Sequence, residues 1–271
     1  MSMRLRNSLA KAYVALLIFV IYLPIIVMII LSFKSSPKVS FPIGSFSLHW
    51  YIGEWKGYEY QAYQPIAHYP QFWKALGNSL SIGIVSGLLT CLIVTSTALA
   101  LRHRVRGRDA LFYLILLGFI TPGIIVGLGS LIFYKYIGLK LSFWSPVAVD
   151  VVFAVPFGLI LMMARFDPNL MEYEVAASVS KADPVQVFRY VTLPLIRWEV
   201  LSAGILGFLL SWSELIRSQF VIKGLGTLAT FIKAELGANP LTARWFAGGT
   251  IIAVVSFVAL IIQGYLLTRR K

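Results

Sequence analysis

Charged residues are scarce in this sequence. Asp, Glu, Lys and Arg together make up 13% of its 271 residues, whereas 58% are hydrophobic. A water-soluble domain of this size would need a larger polar surface, so the composition predicts an integral membrane protein. The net charge of +13 has the sign expected of a protein that binds nucleic acid. In a membrane protein, however, lysines and arginines in the loops account for such a charge, because they fix the orientation of the spans. We therefore expect membrane lipid, and no nucleic acid, as a partner.

Cysteine and histidine are also scarce. The single cysteine, Cys91, lies in an apolar run and can form neither an intramolecular disulfide nor a cysteine metal site. The three histidines, His49, His68 and His103, lie outside the apolar runs, whereas a haem-binding membrane subunit would carry histidines inside them. The sequence also lacks a phosphate-binding glycine loop followed by Lys-Ser/Thr. We therefore predict that this chain has no metal site, no bound cofactor and no catalytic residue.

Long apolar runs are abundant. Six of them are compatible with membrane-spanning helices of roughly 20 residues, at about 12–32, 75–101, 110–134, 144–164, 198–217 and 244–267. In the third run, "TPGIIVGLGS" combines a proline with three glycines and predicts a kinked helix, used either for packing or as a moving pore wall. We expect an all-α membrane protein in which residues 1–271 form one transmembrane domain.

The basic residues predict how the spans are oriented. A short loop contains Arg102, Arg104, Arg106 and Arg108, and the chain ends in Arg269, Arg270 and Lys271. Short loops rich in Lys and Arg remain in the cytoplasm, so both termini are expected there. The long aromatic segment 33–74 then lies outside, either at the headgroup level of the membrane or as a docking surface for an external partner.

The stretch 165–197 interrupts the apolar runs with a patterned polar hairpin. Asp183, Pro184 and Gln186 have the spacing of a helix start with a capping box, and Pro194 is expected to stop that helix. Asp167 and Pro168 are expected to start an earlier helix in the same way. A loop that merely connects two spans needs no capped amphipathic helices, so we expect this hairpin to bind a cytoplasmic partner.

The hairpin resembles the EAA loop of the membrane subunits of bacterial binding-protein-dependent ABC importers, which press this loop into a groove on an ATPase. Five residues match the family pattern in type and spacing: Ala176, Ala177, Phe188, Leu193 and Pro194. Val175 stands at the position of the family glutamate, with Glu174 one residue earlier as a possible substitute. The stretch "VIKGLGTLATFIK" at 221–233 resembles the polyamine (spermidine/putrescine) importer branch.

The hairpin departs from the family pattern at Lys181, which replaces a turn glycine. A left-handed backbone conformation is disfavoured for lysine by roughly 1 kcal/mol. Either the turn differs here, or it is tolerated because the helix start at Asp183 fixes it.

The resemblance implies the fold of a type I ABC importer permease, with six spans and a cytoplasmic coupling hairpin, in the bacterial inner membrane. It implies that Glu174, Ala176, Ala177, Phe188, Leu193 and Pro194 couple the chain to the ATPase. The implied partners are a homodimeric cytoplasmic ATPase that uses ATP and Mg, a second homologous permease subunit that makes a heterodimer, and an extracytoplasmic solute-binding protein. The alternative is a self-contained channel or a membrane-embedded enzyme subunit.

Ionisable residues near the end of span five are candidates for the substrate pathway, because charge at membrane depth is usually functional. Glu214 and Arg217 could pair with each other on one helix face or contact the solute, and Trp212 could stack on a cation or anchor the interface. Ser213 and Glu214 stand at the positions of an acidic pair in the polyamine branch. Asp150 is a further candidate. The expected solute is a polyamine, an amino-acid-like compound or an opine.

Overall fold

The computed structural model describes residues 3–54, 63–103, 106–224 and 226–268. These residues are almost entirely helical, with two isolated β-bridges. The twelve α-helices among them are α1 (Met3–Ser32), α2 (His49–Ile52), α3 (Pro70–Arg102), α4 (Arg108–Ile120), α5 (Gly123–Tyr136), α6 (Trp144–Met163), α7 (Leu170–Val179), α8 (Pro184–Val187), α9 (Leu193–Trp212), α10 (Ser218–Val221), α11 (Leu228–Ala238) and α12 (Ala243–Thr268).

Five helical segments among the described residues are long and apolar enough to cross a membrane. They are Asn7–Ser32, Pro70–Arg102, Trp144–Met163, Pro184–Trp212 and Ala243–Thr268. The pair α4 and α5 forms a sixth candidate span if the two helices are counted together. The predicted fold class, an all-α membrane protein with six spans and a polar hairpin, is therefore confirmed.

The third span is broken rather than kinked, which corrects the sequence-based expectation. Helices α4 and α5 meet at an angle of 105°. Thr121 and Pro122 both have extended backbone, with ψ values of 123° and 132°. A proline disfavours the helical conformation of the preceding residue and has no N–H to donate, so the helical hydrogen bonds stop here and restart in α5.

The chain divides into two compact units. The first comprises Met1–Phe72 and Ile232–Val255, and the second comprises Trp73–Phe231 and Ser256–Lys271. In the first unit, the indole of the buried Trp50 donates to the backbone oxygen of Lys34 at 2.6 Å. The guanidinium of Arg244 lies 4.5 Å from the ring centre of Tyr69 and 4.2 Å from that of Trp245. These contacts fix the aromatic segment around α2 and the start of α12.

In the second unit, α3, α6 and α9 pack closely through small residues. A Cβ added at Gly87 would lie 2.7 Å from the backbone oxygen of Gly204, and one at Gly158 would lie 2.8 Å from the side chain of Val94. Such close approach is typical of membrane helices, where small residues bring backbones together. The buried cluster at one end of these helices contains Val94, Ala98, Leu101, Leu159, Met162, Leu170, Ile196 and Ala203.

The polar hairpin consists of α7, α8, a π-helical turn (Phe188–Thr192) and the start of α9. The expected capping box is present, since the carboxylate of Asp183 accepts from the N–H groups of Val185 and Gln186 while the Gln186 side chain accepts from the Asp183 N–H. The same expectation was wrong for the first helix. That helix begins at Leu170 with Asn169 at its N-cap, and the carboxylate of Asp167 accepts from the N–H of Asn169, which places Asp167 in the preceding turn.

Pro194 does not stop a helix, contrary to the expectation. It lies in the first turn of α9, and the helical path continues from Pro184 to Trp212. The π-helical turn immediately before it explains this, because the N–H of Leu193 donates to the oxygen of Phe188 five residues back. This wider register accommodates the missing N–H of the proline.

Lys181 adopts the left-handed conformation, with φ of 64°, and is the one non-glycine residue in the described ranges with positive φ. The N–H of Ala182 donates to Ala177 and the N–H of Lys181 donates to Ser178, which is the Schellman pattern of helix ends. Of the two alternatives given above, a different turn or a tolerated lysine, the structure shows the tolerated lysine. The turn keeps its left-handed geometry and tolerates lysine between the helix end and the Asp183 cap.

We predict that Lys181→Gly stabilises the hairpin by about 0.5–1 kcal/mol, because glycine adopts positive φ without the steric cost of a Cβ. Amide hydrogen exchange at residues 180–183 should slow several-fold. The matched control is Ser180→Gly, at φ of −77°, which should speed exchange because glycine only adds entropy to the unfolded state there. Faster exchange in Lys181→Gly would contradict the account of the turn.

Candidate functional site

The hairpin presents a set of exposed apolar side chains. Val175 and Val179 on α7 are 57% and 79% exposed, and Val185 on α8 is 72% exposed. Phe188 and Tyr190 follow on the π-helical turn and are also exposed. We call these five residues the apolar set. Apolar groups this exposed on an otherwise polar segment mark a surface for a partner.

The residues that matched the EAA pattern lie on or beside this surface. Phe188 belongs to the apolar set, Ala176 is exposed and Ala177 is half-buried, while Leu193 and Pro194 are exposed at the start of α9. The sequence analysis did not assign Val175 or Val179 to this surface. The spacing of Val175 and Val179, four residues apart on one helix, was the available signal.

Glu174 lies on the inner side of the hairpin. Its carboxylate forms two hydrogen bonds with the guanidinium of Arg102, at 3.1 and 3.2 Å, and accepts a third from the hydroxyl of Thr192 at 2.5 Å. Its side chain is 16% exposed. Unlike its neighbour Val175, it therefore contributes little to the outer surface of the hairpin.

A buried ion cluster lies where α9 ends. The guanidinium of Arg217 is 2.6 Å from a carboxylate oxygen of Glu214 and 3.3 Å from one of Asp150 on α6. The hydroxyl of Ser211 donates to the other Asp150 oxygen at 2.7 Å. Of the two alternatives for Glu214 and Arg217, the structure contains their pairing with each other, but after the end of α9 at Trp212 rather than on a helix face.

The guanidinium of Arg217 is buried among protein groups. The group lies 3.8 Å from the ring centre of Phe153 and donates to the backbone oxygen of Leu210 at 3.0 Å. The Arg217 side chain is 4% exposed, whereas that of Glu214 is 12% exposed. The carboxylate is thus the more accessible member of the pair.

Trp212 and Ser213 differ in their surroundings. Trp212 is 1% exposed and stacks on Phe208, with ring centres 5.9 Å apart. Ser213, the residue that follows α9, is exposed. In this structure the indole therefore packs inside the protein, and Ser213 lies at the surface beside the ion cluster.

The fold and these two features define a class of protein. A bundle of apolar helices with a capped hairpin that exposes apolar side chains, and with a buried ion cluster, is compatible with a transport permease. The family model of the binding-protein-dependent transport system inner membrane component matches residues 92–271. Since this is more than half of the chain, the protein belongs to that family.

Curated relatives of the chain include polyamine permeases. The chain is 27% identical over 274 residues to the spermidine/putrescine transport system permease protein PotC of Haemophilus influenzae, covering 98% of both chains. It is also 27% identical over 258 residues to PotC of Escherichia coli strain K12, covering 93% of this chain and 90% of that one. The putrescine transport system permease protein PotI of the same strain is 25% identical, with coverage of 88% and 85%.

Solved structures confirm the fold. A bacterial ABC transporter involved in the import of the acidic polysaccharide alginate matches with a TM-score of 0.63 at 17% identity, covering 100% of this chain and 98% of that one. An amino acid ABC transporter solved with histidines matches with a TM-score of 0.52 at 19% identity, covering 73% and 91%. Family membership, rather than these structures, shows that the protein is a multi-pass permease subunit of an importer in the inner membrane, which decides against the self-contained channel and the membrane-embedded enzyme.

We predict that Gly127→Ala destabilises the protein by about 1–3 kcal/mol, because overpacking a tight helix contact forces the backbone apart. A Cβ at Gly127 on α5 would lie 2.8 Å from the Cα of Arg217. The control is Gly129→Ala on the same helix, where a Cβ has nothing within 4 Å. Thermal unfolding in detergent measures both variants, and equal melting temperatures would contradict the close approach of α5 to the ion cluster.

Proposed function

We propose that the chain forms half of the pathway for a cationic solute in an ATP-driven importer. A homodimeric cytoplasmic ATPase binds ATP and Mg and docks on the hairpin, and a second homologous permease subunit completes the pathway. An extracytoplasmic solute-binding protein delivers the solute. The chain itself binds no cofactor and hydrolyses no ATP. Family membership supports an ATPase and a solute-binding protein as partners in general.

The observation that carries the proposal is the apolar set on a rigid hairpin. Helices α7 and α8 are fixed by a Schellman turn and a capping box, so they reach a partner already ordered and lose little entropy on binding. Exposed valines and a phenylalanine on short helices are suited to an apolar groove, the helix-in-groove mode of recognition.

The charge distribution supports an orientation with both termini in the cytoplasm. Arg102, Arg165, Arg189 and Arg197 all lie at or beside the hairpin, and short segments rich in arginine remain on the cytoplasmic side. The hairpin and the ATPase are then on the same side of the membrane. The orientation predicted from the sequence then puts segment 33–74 outside the cytoplasm, where the solute-binding protein docks.

The buried ion cluster favours a cation as the solute. Asp150 and Glu214 face one guanidinium, that of Arg217, so the cluster carries more acid than base. The more exposed member is the carboxylate of Glu214, which a protonated amine would meet first. A polyamine fits this arrangement, in keeping with the names of the curated relatives. An amino-acid-like compound or an opine would need Arg217 to be accessible.

We predict that Phe188→Asp abolishes retention of the ATPase, because it places a charge in an apolar contact. The measurement is co-purification of the ATPase subunit with the affinity-tagged permease complex. Leu139→Asp is the control, since Leu139 is 46% exposed, close to the 41% of Phe188, but lies in the connection between α5 and α6. Full retention in Phe188→Asp would refute docking through the hairpin.

We predict that proteoliposomes holding the complete transporter accumulate radiolabelled spermidine or putrescine in an ATP-dependent manner. Glu214→Gln should lower uptake by about ten- to hundredfold, because a carboxylate–ammonium contact is worth roughly 1.5–3 kcal/mol. Asp109→Asn is the control, since the Asp109 side chain is 87% exposed. Uptake of an amino acid or an opine in place of polyamines would contradict the assigned solute class.

A further inference from the structure

Three separate segments of the second unit meet at one ion pair. Arg102 is the last residue of α3, Glu174 lies in α7 and Thr192 closes the π-helical turn. Both carboxylate oxygens of Glu174 are occupied, one by the Arg102 guanidinium alone and the other by the guanidinium and the Thr192 hydroxyl together. The Arg102 and Glu174 side chains are 17% and 16% exposed, and Thr192 is buried.

The geometry of this pair resists separation. Two parallel N–H···O bonds fix both the distance and the relative orientation of the planar groups. The ring of Phe166 lies 5.7 Å from the guanidinium and covers it from another direction. Because the pair is largely shielded from water, breaking it leaves a charge that water solvates poorly. The two segments are therefore joined more firmly than by a surface salt bridge.

The π-helical turn belongs to the same joint. Its extra residue lets Thr192 turn inward, where it is 3% exposed, while Phe188 at the other end of the turn is 41% exposed. One short turn thus presents a side chain to the outer surface and another to the ion pair. π-Helical turns are rare and frequently occur at functional sites.

Helix α3 is long enough to carry movement across the membrane. Its 33 residues span about 50 Å at 1.5 Å per residue, whereas the hydrocarbon core is about 30 Å thick. A helix of this length extends beyond the hydrocarbon core, and Arg102 is its last residue. A displacement of α7 that is passed to Arg102 becomes a displacement of the whole helix.

We propose that Arg102, Glu174 and Thr192 form a joint that transmits the movement of the hairpin to α3, and that Glu174 is a positioning residue rather than a contact of the ATPase. This inference rests on the proposed docking of an ATPase on the apolar set. It assigns separate tasks to adjacent residues, since Val175 faces the partner and Glu174 holds the hairpin to the membrane helix.

The test is a distance measurement by pulsed electron paramagnetic resonance. Spin labels are placed at His103, just after α3, and at Glu172, an exposed residue of α7, in a chain whose single cysteine is replaced by alanine. In the isolated permease the label distance should be narrowly distributed. In the complex with the ATPase, the label distance should be the same in the absence of nucleotide and in the presence of a non-hydrolysable ATP analogue, because α3 and α7 move together. Glu174→Gln and Arg102→Gln should each broaden the distribution roughly twofold or more.

Two further comparisons separate the joint from other roles. Thr192→Val should broaden the distribution, whereas Thr192→Ser, which keeps the hydroxyl, should not. The double variant Arg102→Gln/Glu174→Gln should be no broader than either single variant, because it leaves no unpaired charge. A distribution unchanged in Glu174→Gln, or effects that add in the double variant, would overturn the joint.

Retention of the ATPase distinguishes failure of this inference from failure of the proposed function. Glu174→Gln should retain the ATPase as the wild type does, in contrast to Phe188→Asp. Loss of the ATPase in Glu174→Gln but not in Arg102→Gln would overturn the inference, because it would make Glu174 a direct contact. If the wild type itself retains no ATPase, the proposed docking fails, and the label distances in the isolated permease still decide whether the joint exists.

Discussion

The bidentate ion pair between Arg102 and Glu174 is the interaction on which the geometry of the hairpin depends. It fixes one side of α7 to the end of α3, while Leu170 anchors the start of α7 in the buried cluster of the same unit. With its inner side held in this way, the hairpin directs Val175 and Val179 outward. Exposed apolar side chains on a fixed support are ready to bind a partner without reorganising.

The second charged feature of this unit is the buried ion cluster at the end of α9, which is also shielded from water. Two carboxyl groups, those of Asp150 and Glu214, face the single guanidinium of Arg217. In a membrane protein such a cluster is costly and is usually kept for function. Its position at the end of α9, next to the tight contact of α5 at Gly127, places charge beside the second half of the broken span.

The sequence predicted the features of the fold and the site that depend on neighbouring residues. The apolar runs and the capping box of Asp183 and Gln186 follow from spacing along the chain, and the family resemblance singled out Phe188. The inward direction of Glu174 could not be predicted, because its partner Arg102 is 72 residues away in sequence. The course of the helix through Pro194 could not be predicted either, since it depends on a π-helical register that leaves no compositional signal.

A cryo-electron microscopy structure of the complete transporter, with its ATPase bound to a non-hydrolysable ATP analogue, tests the central claim most directly. The account predicts that Val175, Val179, Val185 and Phe188 are buried against the ATPase, while the carboxylate of Glu174 remains within hydrogen-bond distance of Arg102. An ATPase that docks elsewhere on the chain, or a Glu174 side chain turned toward the ATPase and away from Arg102, would contradict it.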